Sequence, residues 1–267
     1  NCFKKKLLTH ITTMNKLLKA SLAGLLLAAT ALQAQIKIND NISVTGFLDM
    51  SATNTDSELS GDTDSTFNLD QAEIDFLLNF DGISGQIDLN YLGGNDGAFE
   101  LEQAFMAYDL GDGSNIEAGK FLSYMGFETF EPTGLYQYSY AYDITGSIPG
   151  HHNGVRYNYS DDFMDLGLAI LDSVYDPDAS LGDSSYGIEA KIVLRPIEGW
   201  TVFLGFAKDT AEGSNQDRDL INFWTSYEVG NITYALEWND YDFGPMNVGS
   251  QFLVMANLGI TDNLGLT

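Results

Sequence analysis

Apolar and polar residues alternate with a period of two along this chain from Asn41 onward. Asn231–Asp240 reads NITYALEWND, with Ile232, Tyr234, Leu236 and Trp238 on one face and Thr233, Ala235, Glu237 and Asn239 on the other. Gln86–Tyr91 sets Ile87, Leu89 and Tyr91 against Gln86, Asp88 and Asn90. Glu73–Phe80 sets Ile74, Phe76, Leu78 and Phe80 against Glu73, Asp75, Leu77 and Asn79, and Tyr186–Arg195 repeats the pattern with Glu189, Lys191 and Arg195. Successive strand side chains point to opposite faces, so this alternation marks a sheet with one apolar and one polar face. The abundance of Tyr, Phe, Trp, Ile and Thr agrees.

The pattern predicts about twelve strands, near 41–53, 67–80, 83–93, 99–110, 115–124, 152–160, 163–173, 185–195, 200–208, 218–228, 231–241 and 249–260, with a thirteenth beginning at Leu264. Strands of about 10 residues exceed the usual globular mode of ~5–6 and suit a tilted strand crossing a bilayer. The connections carry a second signal. Those after odd-numbered strands are long (54–66, 125–151, 174–184, 209–217, 242–248), the short 94–98 excepted. Those after even-numbered strands are tight, as at Asp81-Gly82, Gly111–Ser114, Asp161-Asp162 and Pro196–Gly199, which is hairpin chemistry. Short turns on one side and long loops on the other is the asymmetry of outer-membrane barrels. A soluble sandwich turns its apolar face inward and spans roughly 100–150 residues per domain; here the pattern runs from 41 to 260 without a linker.

The two ends refine the picture. Met14 opens MNKLLKASLAGLLLAATALQA, with Lys16 and Lys19, an apolar run from Leu22 to Leu32 and small Ala34. This is the pattern of a secretory signal peptide over 14–34, preceded by an upstream extension over 1–13. The apolar run is shorter than the roughly 20 residues of a spanning helix. Residues 35–267 form one barrel domain. The chain stops at Thr267 with a strand just begun, and single-chain bacterial barrels close with an even strand number. We therefore expect a longer barrel, of roughly 16–18 strands.

Five of the 12 Lys+Arg and none of the 38 Asp+Glu lie in 1–34, leaving seven bases against 38 acids, a net charge of −31. Such a surface excludes nucleic acid as a partner and favours cations. The single cysteine, Cys2, falls within the upstream extension, so no disulfide framework holds the exported domain.

With lipid outside, the polar face lines the lumen. Strand parity then predicts Glu73, Asp75, Asp88, Asn90, Glu102, Glu189 and Glu237 as lining acids and amides, and Lys120, Arg156, Lys191 and Arg195 as lining bases. The long connection from about Met125 to His151 is rich in Gly, Pro and aromatics and far exceeds the ~12–15 residues of an ordinary structureless link. We expect it to fold inward as a constriction, its Glu128, Glu131 and Asp143 facing the wall bases and setting a transverse field. Tyr124, Phe127, Phe130, Tyr136, Tyr138, Tyr140 and Tyr142 either pack that loop against the wall or form a sugar-stacking track. Asp56, Glu58, Asp62 and Asp64 could offer calcium hard oxygen ligands, although their spacing fits no defined loop motif. His151-His152 invites a catalytic reading. Adjacent strand residues point to opposite faces, however, and no serine follows until Ser160. No enzyme, cofactor or metal site is predicted.

The stretch GKFLSYMGFETFEP…YAYDITGSIPGHHNGVRYNYSDDFMDLGLAILDSVYDP resembles the OmpL-like β-barrel porin-2 family through Gly119-Lys120-Phe121, Gly126-Phe127-Glu128, and Pro149 with Gly154-Val155-Arg156-Tyr157. The Asn-Gly-Trp run expected after the seventh strand is here replaced by Asp172-Ser173-Val174-Tyr175-Asp176. The resemblance implies an outer-membrane, porin-like antiparallel transmembrane β-barrel that passes small hydrophilic solutes, and a homotrimer. The other readings left open are a substrate-specific channel, a non-conducting surface barrel binding calcium or a partner through acidic loops, and a soluble periplasmic all-β binding protein.

Overall fold

The computed structural model describes residues 35–56, 63–93, 97–128, 130–137, 140, 146–176, 186–210, 217–244, 247–261 and 264–267. The segment 14–34, expected as a leader, lies outside the described residues with Glu58, Asp62 and Asp143, as do the side chains of Asp56 and Asp64. The strands are β1 (Ile36–Lys37), β2 (Ile42–Asp56), β3 (Thr63–Phe80), β4 (Ile83–Leu92), β5 (Ala98–Gly111), β6 (Ser114–Leu122), β7 (His151–Ser160), β8 (Met164–Leu171), β9 (Tyr186–Ile197), β10 (Trp200–Thr210), β11 (Arg218–Val229), β12 (Ile232–Asp242), β13 (Val248–Thr261) and β14 (Leu264–Leu266). They form one 14-stranded sheet in sequence order, with β1 and β14 at its edges. Each strand pairs antiparallel with the next.

The twelve strands expected from alternation correspond to β2–β13, and the thirteenth to β14. β1 was not foreseen, because two residues cannot show a period. The β2–β3 hairpin also runs further than its apolar pattern, to Asp56 opposite Thr63. Polar cross-strand pairs such as Thr53–Thr66, whose hydroxyls lie 2.7 Å apart, extend the ladder there.

Burial is inverted relative to a water-soluble protein. Ile74, Leu89, Ile170 and Leu236 are exposed, as is Val254 at 80%, while Glu237 and Asn239 are 0% exposed and Glu73, Asp88, Glu102 and Glu189 are buried. Closing backbone hydrogen bonds between strands while presenting an apolar exterior suits a hydrocarbon surround. No helix among the described residues is long and apolar enough to cross a membrane; strands provide the crossing.

The polar face is concave. The β6–β7 connection reaches Asn222 on β11 and Glu237 on β12, and Ser147 reaches Gln251 on β13. From the same connection Glu131 meets Glu73 on β3 and Glu102 on β5. One segment can touch both regions only if the sheet curls around it. Beneath it sits the apolar cluster of the interior: Phe121, Met125, Leu171, Val174, Phe203 and Leu220, with smaller neighbours.

Candidate functional site

After Leu122 the chain leaves the ladder and crosses the inner wall. The Tyr124 N–H donates to Glu189 Oε2 on β9 (3.1 Å), the Gly126 N–H to Asn222 Oδ1 on β11 (2.9 Å) and the Phe127 N–H to Glu237 Oε2 on β12 (3.2 Å). The Ser123 hydroxyl donates to the other Glu189 oxygen. Strands lie ~4.8 Å apart and an extended chain advances ~3.3–3.6 Å per residue. Reaching three strands within four residues therefore means running across them, on a chord inside the curved wall. Backbone donors that have left a sheet need other partners when buried, and wall side chains supply them. Asn222 is held in turn, its Nδ2 donating to Glu237 Oε1 and Asn239 Oδ1. Gly126 has φ +99°, and a Cβ there would sit 3.1 Å from Ile148 Cγ2, so glycine suits the bend.

Of the aromatics named above, Tyr138 and Tyr142 lie outside the described residues, and the others are engaged in packing. Tyr124 lies between the Arg156 guanidinium (5.0 Å) and the Lys191 ammonium (4.4 Å), and its hydroxyl donates to Asn158. Phe127 stacks on Tyr136 at 6.0 Å and meets Trp224 edge-on, and Trp224 stacks on Phe203 at 5.1 Å. Phe130 packs against His151 and Tyr140, whose hydroxyl donates to the Phe130 carbonyl. Two mid-strand glycines let the loop this close. A Cβ on Gly167 would lie 2.8 Å from the Tyr124 ring, and one on Gly205 would lie 2.5 Å from Met125 Sδ. Both are cross-strand partners of Lys191.

Charge is divided between two walls. On β7–β9, each base has a partner. Arg156 pairs with Glu117, lies over Phe121 (4.1 Å) and donates to the Leu122 carbonyl. Arg195 pairs with Asp165, and Lys191 lies against Tyr124. Arg156, Lys191 and Tyr124, with Asn158 and Asp165, line a cavity of about 450 Å³ on the short-turn side of the loop. On β3–β5, Glu73 and Glu102 meet Glu131 of the loop, and Asp75 and Asp88 meet Glu73. Burial, followed by the charges of Glu102, Asp75 and Asp88, pushes the Glu131 carboxyl up to about 8.

Lys120 stands elsewhere than parity suggested. Glu117 faces Arg156 across β6–β7, whereas Lys120 faces Ala104 and Asn153. Lys120 therefore projects from the other face, where its ammonium donates to the Leu101 carbonyl (2.8 Å). The inward position beside it belongs to Phe121, 0% exposed, which supports Arg156 and the root of the loop. Glu189 and Glu237 face inward but serve as acceptors for loop backbone. Glu128 accepts from Gln137. His152 packs inward, edge-on to Phe121, with Nε2 3.6 Å from Glu189, while His151 turns to Phe130. Ser123, Asn222 and Asn239 were missed by sequence reasoning. The usable signal was Gly167 and Gly205, glycines inside strands that invite a close backbone approach.

Residues 41–247 match the family model described as "Putative beta-barrel porin-2, OmpL-like". The chain belongs to this porin family. Solved structures share the fold at low sequence identity. The outer membrane channel DcaP of Acinetobacter baumannii is 13% identical, with a TM-score of 0.60 over 87% of this chain and 78% of that one. Outer-membrane expressed OmpT of Vibrio cholerae is 12% identical, with a TM-score of 0.53 over 85% and 74%. No curated protein matches the sequence. The porin is thus a channel protein of the outer membrane and not an enzyme, in keeping with the separated orientations of His151 and His152.

Proposed function

We propose that this porin forms a water-filled path for passive diffusion of small hydrophilic solutes and ions, preferring cations, with the inward loop from about 125 to 151 as its constriction. The observation that carries this reading is the passage of Tyr124, Gly126 and Phe127 across β9, β11 and β12, each fixed by a buried wall acceptor. A segment held that way occupies cross-section which solutes would otherwise use. The cation preference is supported by the excess of 38 acids over seven bases beyond residue 34, and by the pairing of Arg156 and Arg195 with carboxylates. Carboxylates facing a low-dielectric-walled lumen raise the local cation concentration. The acids of β3–β5 and Glu131 would line the conducting side, with Arg156 and Lys191 opposite.

The test is the reversal potential of the refolded porin in a planar bilayer under a potassium chloride gradient. A potential of the sign set by potassium flux is expected. A zero or chloride-directed potential from a conducting barrel would remove the cation preference and leave the channel.

A further inference from the structure

The acids of β3–β5 are placed with more order than a generally acidic lumen needs. Glu73 pairs across strands with Asn90, and Asp75 with Asp88. On β5 the register slips, so that Gln103 faces Asp88 while Leu101 faces Leu89. The extra residue of this bulge is Glu102, buried and turned inward beside Gln103. Glu131 arrives from the loop. Carboxylate oxygens of Glu73, Glu102 and Glu131 lie within 4.8 Å of one another, as do those of Glu73, Asp75 and Asp88. Among the described residues, the ion pairs to lysine and arginine go to Asp40, Glu117, Asp165, Asp217 and Asp219, and none to Glu73, Asp75, Asp88 or Glu102.

A second feature points to a ligand. Asn90 is 1% exposed and donates its Nδ2 to Glu102 Oε2 at 3.2 Å, and its own carbonyl oxygen, on the amide fixed beside Glu102 by that bond, has no partner. A buried carbonyl without a donor costs about 1–3 kcal/mol, and a cation removes that cost as well as a donor does. The neighbouring amides behave as orienting groups. Gln86 and Gln103 both donate to Asp88 Oδ2 (2.8 and 2.7 Å), leaving Oδ1 without a partner. The donors are oxygen throughout, carboxylates and an amide carbonyl. Such hard, flexible ligation suits calcium, which takes about 6–8 oxygens, better than zinc or copper.

We propose that Glu73 and Glu102, joined by Glu131 and with Asn90 beside them, form a calcium-class divalent cation site that ties the far end of the loop to the β3–β5 wall, the adjoining Asp75 and Asp88 extending the acidic group around Glu73. The loop is then held on both sides, by backbone hydrogen bonds at β9–β12 and by a metal bridge at β3–β5. Binding itself is independent of whether the barrel conducts.

The experiment is calorimetric titration of calcium chloride into the chelator-treated, refolded, detergent-solubilised porin at neutral pH, with heat-dependent gel mobility as the check that each variant is folded. Saturable binding in the range of about 10⁻⁴–10⁻³ M or tighter is expected. Glu102→Gln and Glu131→Gln should each weaken it by about ten-fold or more, while Glu58→Gln with Asp62→Asn leaves it unchanged. Glu131 lies on the loop, outside the strand ladder, so Glu131→Gln leaves every wall strand intact. Absence of saturable binding to folded wild-type protein would overturn the proposal. Unchanged binding in both Glu102→Gln and Glu131→Gln, or its loss in the Glu58/Asp62 variant, would overturn it equally. The readout is heat and not current, so a silent bilayer would sink the pore reading while leaving this one standing.

Discussion

The inner surface of this porin has two unlike walls. Along β6–β12 the wall is built to receive chain: Glu189, Asn222 and Glu237 accept loop N–H groups, Gly167 and Gly205 leave room, and Phe203 and Trp224 offer an aromatic bed. Two of its bases, Arg156 and Arg195, are paired with Glu117 and Asp165. Along β3–β5 the wall carries carboxylates with amide neighbours, and the loop approaches it through Glu131. Inward-facing glutamates thus do two jobs on one sheet. Glu237, saturated by Asn222 and the Phe127 amide, is an anchor, whereas Glu73 stands among other acids. Burial alone does not tell these apart; the partners do.

The strongest way to break the contrast is to fill the room on the receiving wall. In Gly205→Val the new Cβ meets Met125 Sδ at 2.5 Å and the Phe203 ring at 2.7 Å. Overpacking costs about 1–3 kcal/mol, and the loop is the part free to yield. Raised single-channel conductance is expected, along with faster protease cleavage between 128 and 150. Unchanged cleavage in a folded barrel would mean that the loop is not seated there.

Asn222→Ala comes next. It strips an acceptor from the Gly126 N–H and a donor from Glu237 and Asn239, a loss of about 1–3 kcal/mol where buried groups are left unpaired. Thermal unfolding in detergent should shift downward, and Asn222→Leu, which keeps the volume without the amide, should shift it comparably. If the leucine variant were as stable as the wild type, hydrogen bonding would not be what Asn222 provides.

Much of this architecture was legible beforehand. The period of two located β2–β13 because alternation in a barrel strand faces lipid on one side and water on the other, and the loop asymmetry located the β6–β7 connection as the unusual one. Lys120 shows where parity fails. Its strand spends an inward position on apolar Phe121, so charge was a poor guide to face at the point where the wall must support the loop. Glu189 and Glu237 show a second failure. A polar residue on the inner face reads the same in sequence whether it meets solvent or backbone, and only the three-dimensional path of 123–127 distinguishes them. The cluster around Glu73 depends on the bulge at Glu102 and on a residue arriving from across the barrel, neither of which has a short-range sequence signal.

A milder change separates the walls by charge alone. Arg156→Gln removes the partner of Glu117 and the cation over Tyr124 while keeping hydrogen-bonding capacity, so cation preference should rise modestly with little change in conductance. A fall in cation preference would contradict the assignment of β7–β9 as the basic side.

The smallest effect lies at the foot of that wall. Asp161 accepts from the Met164 and Phe163 amides and from the Tyr159 hydroxyl, and the Met164 bond leads the causes that hold its carboxyl below the usual range. Because the folded form binds its proton less readily, its stabilisation is present above the ordinary carboxylate range and fades as pH falls through the lowered value. Asp161→Ala should flatten that acid limb slightly, as read by unfolding temperature against pH. An identical limb in the variant would remove the turn from the account.

The most direct test of the constriction is single-channel conductance of the refolded porin in a planar bilayer, wild type against a variant in which 128–146 is replaced by a short Gly-Ser link. The account predicts steady steps from the wild type and larger steps, with weaker ion preference, from the variant. Equal steps from both, or no steps from a demonstrably folded wild-type barrel, would contradict it.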